Sequence, residues 1–238
     1  MNRSERLQQL RTRSDFLSAN GVLLITREPP PAPPPAPGQP PIVAANPAEG
    51  VEVLLSVWDD TTALGLHGHV DLGTGIRTAL GQIVADELDL SMEQVDMVLG
   101  DTARAPNQGP TIASASIQIH GVPLRQAAAQ ARAWLLAEAA RQLQAPVASL
   151  IVQDGQVRVV GESTRTVSYG ALLQGRRVEL RLDPSSPVKA VADYRVVGQS
   201  QPRVDIPAKA LGEAVFVHDM RVPGMLHGRV VRPPYAGA

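Results

Sequence analysis

The sequence contains no cysteine among its 238 residues. Within this chain that excludes disulfide bonds, thiolate metal sites, cysteine-ligated iron–sulfur clusters and a cysteine nucleophile. The absence is compatible with the cytoplasm, which is the location we expect. Aromatic residues are also scarce, at 3%, so the core must be built from Ala, Val, Leu and Ile.

The chain also lacks a large net charge and long apolar runs. The net charge of −1 provides no electrostatic basis for binding nucleic acid or an anionic membrane. No apolar run approaches the ~20 residues that span a bilayer. A hydrophobic fraction of 44% is enough for one medium core or two small ones. We therefore expect a globular chain with no nucleic-acid partner and no membrane span.

Proline, in contrast, is abundant, with 21 residues, and many lie in the run R-E-P-P-P-A-P-P-P-A-P-G-Q-P-P. Proline lacks a backbone N–H and fixes φ, so this run cannot be helix or central strand and predicts an extended polyproline II segment. We assign residues 28–48 to a Pro-rich linker. A spacer or a strap across a larger subunit is favoured over an SH3-type ligand.

The residues before this linker, 1–27, are assigned to an N-terminal arm. Residues 1–20 show weak helical periodicity and are expected to form a surface helix or a frayed arm. The run R-T-R-S-D-F-L loosely resembles a twin-arginine export signal, but its arginines are not adjacent and the apolar run after it is short. Residues 21–26 predict a short buried strand.

Residues 49–182 alternate between strand and helix patterns and predict an α+β fold, a mixed sheet with packed helices. The predicted elements are a hairpin at 51–70, a helix at 77–88, a strand at 93–101, a helix at 124–144, a hairpin around Asp154-Gly155, a short helix at 168–174 and a strand at 178–182. A linker, 183–192, follows. Residues 193–238 predict a second unit of short strands with a turn at Pro223-Gly224.

The stretch 66–88 passes from a strand through the turn Gly73-Thr74-Gly75 into an amphipathic helix. The first N–H groups of a helix have no partner within it, and the helix dipole adds partial positive charge there. Arg77 and Thr78 add a cation and a hydroxyl at the same end. This pattern indicates a site for a phosphate or a pterin-like group, and the alternative is a simple strand–helix turn.

A polar loop with small residues, 101–121, forms the second candidate segment. Thr111, Ser114 and Ser116 supply hydroxyls, and Ala113 and Ala115 keep the backbone accessible. Such a segment suits contact with a ligand rather than ordinary core packing.

Other polar residues are better explained by structure than by chemistry. His67 and His69 alternate along a strand and share a face, but a metal pair would lack a third ligand, so a solvated or core-edge pair is favoured. His120 is interpreted as structural. The adjacent carboxylates at 86–87 diverge on a helix and favour a solvated charge pair over an acid–base pair.

Together these segments resemble a known family. The run H-V-D-L-G-T-G-I-R-T-A-L-G-Q-I-V-A-D-E-L, followed by G-D-T and G-P-T-I-A-S-A-S-I-Q-I-H-G, resembles a cofactor-binding part of the xanthine dehydrogenase and aldehyde oxidase family. The run that begins P-R-V-D-I-P-A-K-A-L-G-E resembles the start of that family's α/β hammerhead domain. The order of the two resembles the nicotinate dehydrogenase and isoquinoline 1-oxidoreductase branch. The resemblance implies an incomplete hammerhead unit at residues 193–238.

The resemblance implies a molybdenum–molybdopterin cofactor, in the cytosine dinucleotide form, and hydroxylation of an aldehyde or N-heterocycle with oxygen from water. The family's Gly-Gln-Gly turn matches residues 73–75, with Thr74 in place of glutamine, and its Thr-x-x-Ser-x-Ser run matches residues 111–116. The candidate cofactor-binding residues are Gly73, Thr74, Gly75, Arg77, Thr78, Thr111, Ala113, Ser114 and Ser116.

The family's catalytic glutamate lies in a Gly-Glu motif far downstream of the hammerhead, and Gly212-Glu213 is a different motif. We therefore assign no catalytic and no metal-ligating residue to this chain. It is expected to be an N-terminal portion of a larger molybdopterin subunit, inactive alone and limited to cofactor contacts. Expected partners are the remaining portion of that subunit, a small iron–sulfur subunit and a small-molecule substrate. The alternative is a non-catalytic truncated remnant or an interaction module.

Overall fold

The computed structural model describes residues 3–30 and 50–235. The polyproline II prediction for the Pro-rich linker, 28–48, falls for the most part outside the described residues. The chain divides into two compact units, Met1–Pro202 and Arg203–Ala238.

The first unit is built on a five-stranded mixed sheet, which confirms the predicted fold class. In the order of the sheet its strands are β4 (Val95–Leu99), β3 (Ala63–His67), β2 (Glu52–Trp58), β1 (Val22–Arg27) and β8 (Arg177–Arg181). The central pairs β1/β2 and β2/β3 are antiparallel, and the outer pairs β3/β4 and β1/β8 are parallel. Strands β2 and β3 are buried along their whole length, so both faces of the sheet are covered.

Helices α3 (Ile76–Leu88) and α5 (Gly121–Leu143) cover one face of the sheet. Leu23 and Ile25 of β1 point to this side, because alternate residues of a strand face opposite ways. Ala127, Ala128 and Ala131 of α5 are fully buried and allow the helix to approach the sheet closely. Both helices were predicted from their periodicity.

Helices α1 (Arg3–Gln9) and α2 (Arg13–Ser18) pack on the other face. Val22 and Leu24 of β1 point to that side and contact the same apolar cluster as Phe16, which has no exposed surface. Of the two alternatives predicted for residues 1–20, helical structure is found and a frayed arm is wrong, since apolar residues on this face of the sheet need cover. The described part of residues 1–27 folds with the strands that follow the linker.

A smaller antiparallel sheet completes the first unit. It consists of β5 (Leu150–Gln153), β6 (Gln156–Val159) and β7 (Glu162–Ser168), followed by helix α6 (Tyr169–Leu173). Asp154 and Gly155 both have positive φ, 50° and 73°, as a two-residue type I′ hairpin requires. The predicted hairpin is confirmed.

Residues 183–199 pack against α3 and α5. The carboxylate of Asp86 accepts the backbone N–H groups of residues 195–197 at 2.8–3.3 Å. Glu87 pairs with Arg125 at 2.7 Å and accepts the N–H of Lys189 at 3.1 Å. The interpretation of Asp86 and Glu87 as a solvated pair is wrong: both are buried, because this returning segment covers the end of α3.

The second unit contains helix α7 (Ile206–Ala210) and a turn at Pro223-Gly224, where Gly224 has a φ of 74°. The turn was predicted. The short strands were also predicted, and they are wrong for residues 193–235, where the structure shows helical turns and irregular chain but no strand. An isolated strand is stable only when a neighbour satisfies its N–H and C=O groups. The assignment of this unit to a hammerhead start stays a prediction.

No helix among residues 3–30 and 50–235 has both the length and the apolar character needed to cross a membrane.

Candidate functional site

The candidate site lies where the parallel strands β3 and β4 end. The N–H of Gly100, just after β4, donates to the carbonyl oxygen of His67, the last residue of β3, at 2.9 Å. The chain leaves β3 through residues 68–75 and enters α3, and it leaves β4 into the loop 101–114. Both predicted cofactor segments therefore start from the same edge of the sheet.

The glycine turn is closed by a carboxylate of the chain itself. Asp71 Oδ1 accepts the N–H groups of Gly73 and Gly75 at 2.9 and 3.1 Å, and its Oδ2 accepts the N–H of Arg77 at 3.1 Å. These donors lie at the start of α3, where the helix dipole favours a negative charge. The predicted anion site is thus partly occupied by Asp71, which was not predicted from the sequence. The signal for it was an aspartate two residues before a glycine, a common turn former.

The predicted residues of the turn divide into exposed and buried groups. Gly73, Thr74 and Arg77 are exposed, whereas Gly75 and Thr78 are buried. Gly73 has a φ of 97°, and a Cβ placed on it would meet no atom within 4 Å. The open side of the turn is therefore formed by a glycine backbone, a hydroxyl and a guanidinium group.

The second segment packs directly against the first. The hydroxyl of Thr111 accepts the backbone N–H of Val70 at 3.0 Å. Ser116 is buried, and its hydroxyl oxygen lies 2.8 Å from His69 Nδ1. The structure therefore brings residues 66–78 and 108–116 together, although no contact between them was predicted from the sequence.

Between Thr111 and Ser116 the backbone adopts an uncommon conformation. Ala113 and Ser114 have φ values of 54° and 55°, in the left-handed region that residues with a Cβ rarely occupy. Both residues are exposed, and they directly precede the short helix α4 (Ala115–Gln118). Strained backbone at an exposed position is a common feature of ligand-binding sites.

Three histidines lie beneath these segments. The ring centroids of His67 and His69 are 5.4 Å apart, and that of His120 lies 4.5 Å from His69. His67 and His69 have no exposed surface, so of the two predicted alternatives the solvated pair is wrong and a structural pair within the core fits. Each ring nitrogen of His67 and His69 has a protein partner, and the described residues contain no group of three ligands suited to a metal ion.

Burial has a clear electrostatic effect on His67. Desolvation, reinforced by the neighbouring His69, lowers the pKa of His67 to about 4 from the ordinary 6.5. The pKa of His120 is lowered as well, first by burial and then by His69.

Gln108 connects the loop to the end of β3. Its side-chain oxygen accepts the N–H of Gly68 at 2.7 Å, and its carbonyl oxygen lies 3.2 Å from His69 Nε2. The role of Gln108 and the hydrogen-bond partners of His69 were not predicted from the sequence, because these contacts arise only from the tertiary fold.

The loop before Gln108 is held from the opposite side of the sheet. The backbone N–H of Arg13 donates to the carbonyl oxygen of Ala103 at 3.2 Å, and its guanidinium donates to that of Ala105. The buried carboxylate of Glu52 accepts the N–H of Asn107 at 2.7 Å and pairs with Arg27 at 2.8 Å. Helix α2 and the central strands therefore fix the position of the candidate site.

Large apolar side chains border the site. Leu72, Ile112 and Ile119 are 71%, 64% and 62% exposed, far more than is usual for their residue types. A cavity of about 220 Å³ lies nearby, with Ile117, Val122 and Tyr194 in its wall.

Comparison with known proteins places these features in context. The sequence matches the family model "Molybdopterin cofactor-binding domain" over residues 36–217. It is 53% identical to one of the subunits of nicotinate dehydrogenase from Pseudomonas putida, over 97% of this chain and 19% of that protein. It is 31% identical to the beta subunit of isoquinoline 1-oxidoreductase from Brevundimonas diminuta, over 71% of this chain and 26% of that protein.

Among solved structures, the chain is similar to CO dehydrogenase of Oligotropha carboxidovorans, with 25% identity and a TM-score of 0.42. That match covers 47% of this chain and 14% of the other. The chain therefore spans only about a fifth to a quarter of the length of the two curated relatives.

Proposed function

Because the chain belongs to the molybdopterin cofactor-binding domain family, we propose that it forms part of the molybdopterin subunit of a molybdenum hydroxylase. Its role there is to supply contacts to the cofactor. The observation that carries this proposal is the junction of the two predicted segments, in which Thr111 binds Val70 and Ser116 binds His69.

The groups on the open side of the junction fit such a cofactor. Molybdopterin carries hydrogen-bonding ring atoms and a phosphate, which favour hydroxyl donors, backbone N–H groups and a cation. Thr74, Arg77 and Ser114 are exposed and supply two hydroxyls and a guanidinium. Gly73 leaves open space beside the backbone, so a bulky group can approach it.

The other predicted residues have a different role in this proposal. Asp71 already accepts three N–H groups at the start of α3, so the cofactor relies on side-chain donors more than on the helix end. Gly75 and Thr78 are buried and support the turn. Thr111 holds the second segment, and Ala113 exposes the backbone beside Ser114.

When bound, the molybdenum cofactor would supply the redox chemistry that transfers a water-derived oxygen to the substrate carbon. The residues of this chain bind and orient it, and we assign none of them a catalytic role. The general base and the substrate pocket belong, in this proposal, to the remaining part of the subunit. An N-heterocyclic substrate is supported by the names of the two curated relatives, and an aldehyde is the alternative.

The same proposal includes the cytosine dinucleotide form of the cofactor and a small iron–sulfur subunit as the electron acceptor. A cytoplasmic location stays a prediction from the sequence.

The test is metal analysis of the complete subunit purified together with its partner chains. We expect molybdenum in the wild type, and lower occupancy in Arg77→Gln and in Ser114→Ala. Arg158→Gln is the matched control, because Arg158 is an exposed arginine of the three-stranded sheet. Absence of molybdenum from the wild type would contradict the proposal, and full occupancy in both variants would contradict the assigned contacts.

A second candidate function, a non-catalytic remnant or interaction module, is favoured by two observations. Thr74 stands where the family pattern has glutamine, and Leu72 and Ile112 are exposed in the two candidate segments. On this alternative, deletion of the chain leaves hydroxylase activity and molybdenum content of the host assembly unchanged.

A further inference from the structure

His69 and Ser116 form a buried polar contact of the candidate site. His69 has no exposed surface and Ser116 is 7% exposed. His69 Nδ1 lies 2.8 Å from the hydroxyl oxygen of Ser116, and His69 Nε2 lies 3.2 Å from the carbonyl oxygen of Gln108. Both ring nitrogens of His69 are therefore hydrogen-bonded within the protein.

The partners of His69 determine the direction of these bonds. A carbonyl oxygen only accepts, so Nε2 carries the hydrogen that is donated to Gln108. Among the described residues no carboxylate is hydrogen-bonded to this buried ring, and a ring with a single hydrogen, on Nε2, offers Nδ1 as an acceptor. The hydroxyl of Ser116 must then donate its hydrogen to His69.

His67 holds the same residue by its backbone. The N–H of His69 donates to His67 Nδ1 at 3.2 Å, so His67 carries its hydrogen on Nε2. His67 Nε2 donates to the carbonyl oxygen of Ser116 at 3.2 Å. Ser116 is thus fixed twice, at its hydroxyl and at its carbonyl, by two histidines from the end of β3.

We propose that His69 is a positioning residue, which acts through Ser116 to hold the exposed left-handed turn at Ala113 and Ser114 in place for the cofactor. Ser116 has one hydroxyl hydrogen, and His69 receives it, so Ser116 cannot also donate it to a ligand. Ser114 is two residues earlier and exposed, and its hydroxyl makes no capping hydrogen bond to α4. The two serines of the motif therefore have different roles: Ser114 contacts the cofactor, and Ser116 anchors the turn. This inference rests on the proposed function for the identity of the ligand alone.

Two substitutions of His69 separate its two hydrogen bonds. His69→Asn keeps an acceptor close to the position of Nδ1 and so retains the bond from Ser116. His69→Gln reaches the position of Nε2 instead, so it retains the bond to Gln108 and loses the acceptor for Ser116. Ser116→Ala removes the hydroxyl, and Ser114→Ala removes the exposed hydroxyl as a matched control.

The first readout is hydrogen exchange of the backbone amides at 111–118 in the complete subunit. Loss of one buried hydrogen bond should accelerate their exchange roughly five- to tenfold in His69→Gln and in Ser116→Ala. The double variant should be no faster than either single one, because both remove the same bond. His69→Asn and Ser114→Ala should stay close to the wild type.

The second readout is the molybdenum retained after gel filtration. Ser114→Ala should lose molybdenum without faster exchange, whereas Ser116→Ala and His69→Gln should lose it together with faster exchange. Additive effects on exchange, or loss of molybdenum in Ser116→Ala with unchanged exchange, would overturn the proposal, since Ser116 would then be a direct contact. If the wild type holds no molybdenum, the proposed function fails, and the exchange measurements still decide the role of His69.

Discussion

Gly68 lies directly against the carbonyl oxygen of Pro106. A Cβ placed on Gly68 would overlap that oxygen and would lie 3.0 Å from the backbone nitrogen of Gln108. Both obstructing atoms belong to the backbone, so no side chain can rotate away to make room. This close approach allows Gln108 to accept the N–H of Gly68 and to meet His69.

Gly68→Ala should therefore displace the loop 106–108 and destabilise the fold by roughly 1–3 kcal/mol, as overpacking of a core does. Urea unfolding followed by the fluorescence of Trp58, which is 2% exposed, measures the change. Gly228→Ala is the control, since a Cβ there meets nothing within 4 Å and no positive φ is involved. Equal stability of the two variants would contradict the close approach.

Asp71 leads to a prediction about anions. Asp71→Ala removes the acceptor of three N–H groups and should lower the free energy of unfolding by about 1–2 kcal/mol, whereas Asp71→Asn keeps an acceptor and should lose less. Inorganic phosphate should raise the melting temperature of Asp71→Ala, because the freed N–H groups and the helix dipole then bind an anion. The wild type should respond less. An equal response of wild type and variant would show that the carboxylate does not occupy the helix end.

His67 predicts how stability depends on pH. Its pKa is about 4 in the fold and 6.5 ordinarily, with burial as the main cause. Between these values the unfolded chain binds a proton at His67 and the folded chain does not, so stability falls as the pH is lowered from 6.5 to 4. The loss reaches up to about 3 kcal/mol from this residue.

Urea midpoints measured at pH 7, 5.5 and 4.5 test this dependence. His67→Gln should reduce the dependence of stability on pH by the share that is due to His67. It also weakens the contact with Ser116. His218→Gln is the control, because His218 is exposed and should leave the slope unchanged. A slope that persists in full in His67→Gln would assign the acid sensitivity to other groups.

Local signals were sufficient where neighbours in sequence decide the structure. The Asp154-Gly155 hairpin and the helix Ile76–Leu88 depend on turn residues and periodicity within a few positions, and both are found. The parallel pairing of β1 with β8 joins segments about 150 residues apart and leaves no local signal. Burial of Asp86 was missed for the same reason, since its partners at 195–197 lie far along the chain.

The candidate site shows the same division. Glycines and small hydroxyl residues marked the two segments separately, each by its own composition. Their junction depends on Val70 with Thr111 and on His69 with Ser116, and these contacts exist only once β3 and β4 are paired. The sequence could therefore mark the two candidate segments, but not the contacts that join them.

Substitution of Phe16 tests whether the N-terminal helices belong to the core. It has no exposed surface, and its ring centroid lies 6.5 Å from that of Trp58. Phe16→Ala should cost about 3–5 kcal/mol of unfolding free energy, because it leaves a cavity between α2 and the sheet. Leu226→Ala is the control, since Leu226 is 93% exposed. A frayed arm would make the two substitutions equivalent, within ~0.5 kcal/mol. Because α2 also holds the loop at Ala103 and Ala105, Phe16→Ala should speed amide exchange at 103–108 as well, which links this face of the sheet to the candidate site on its edge.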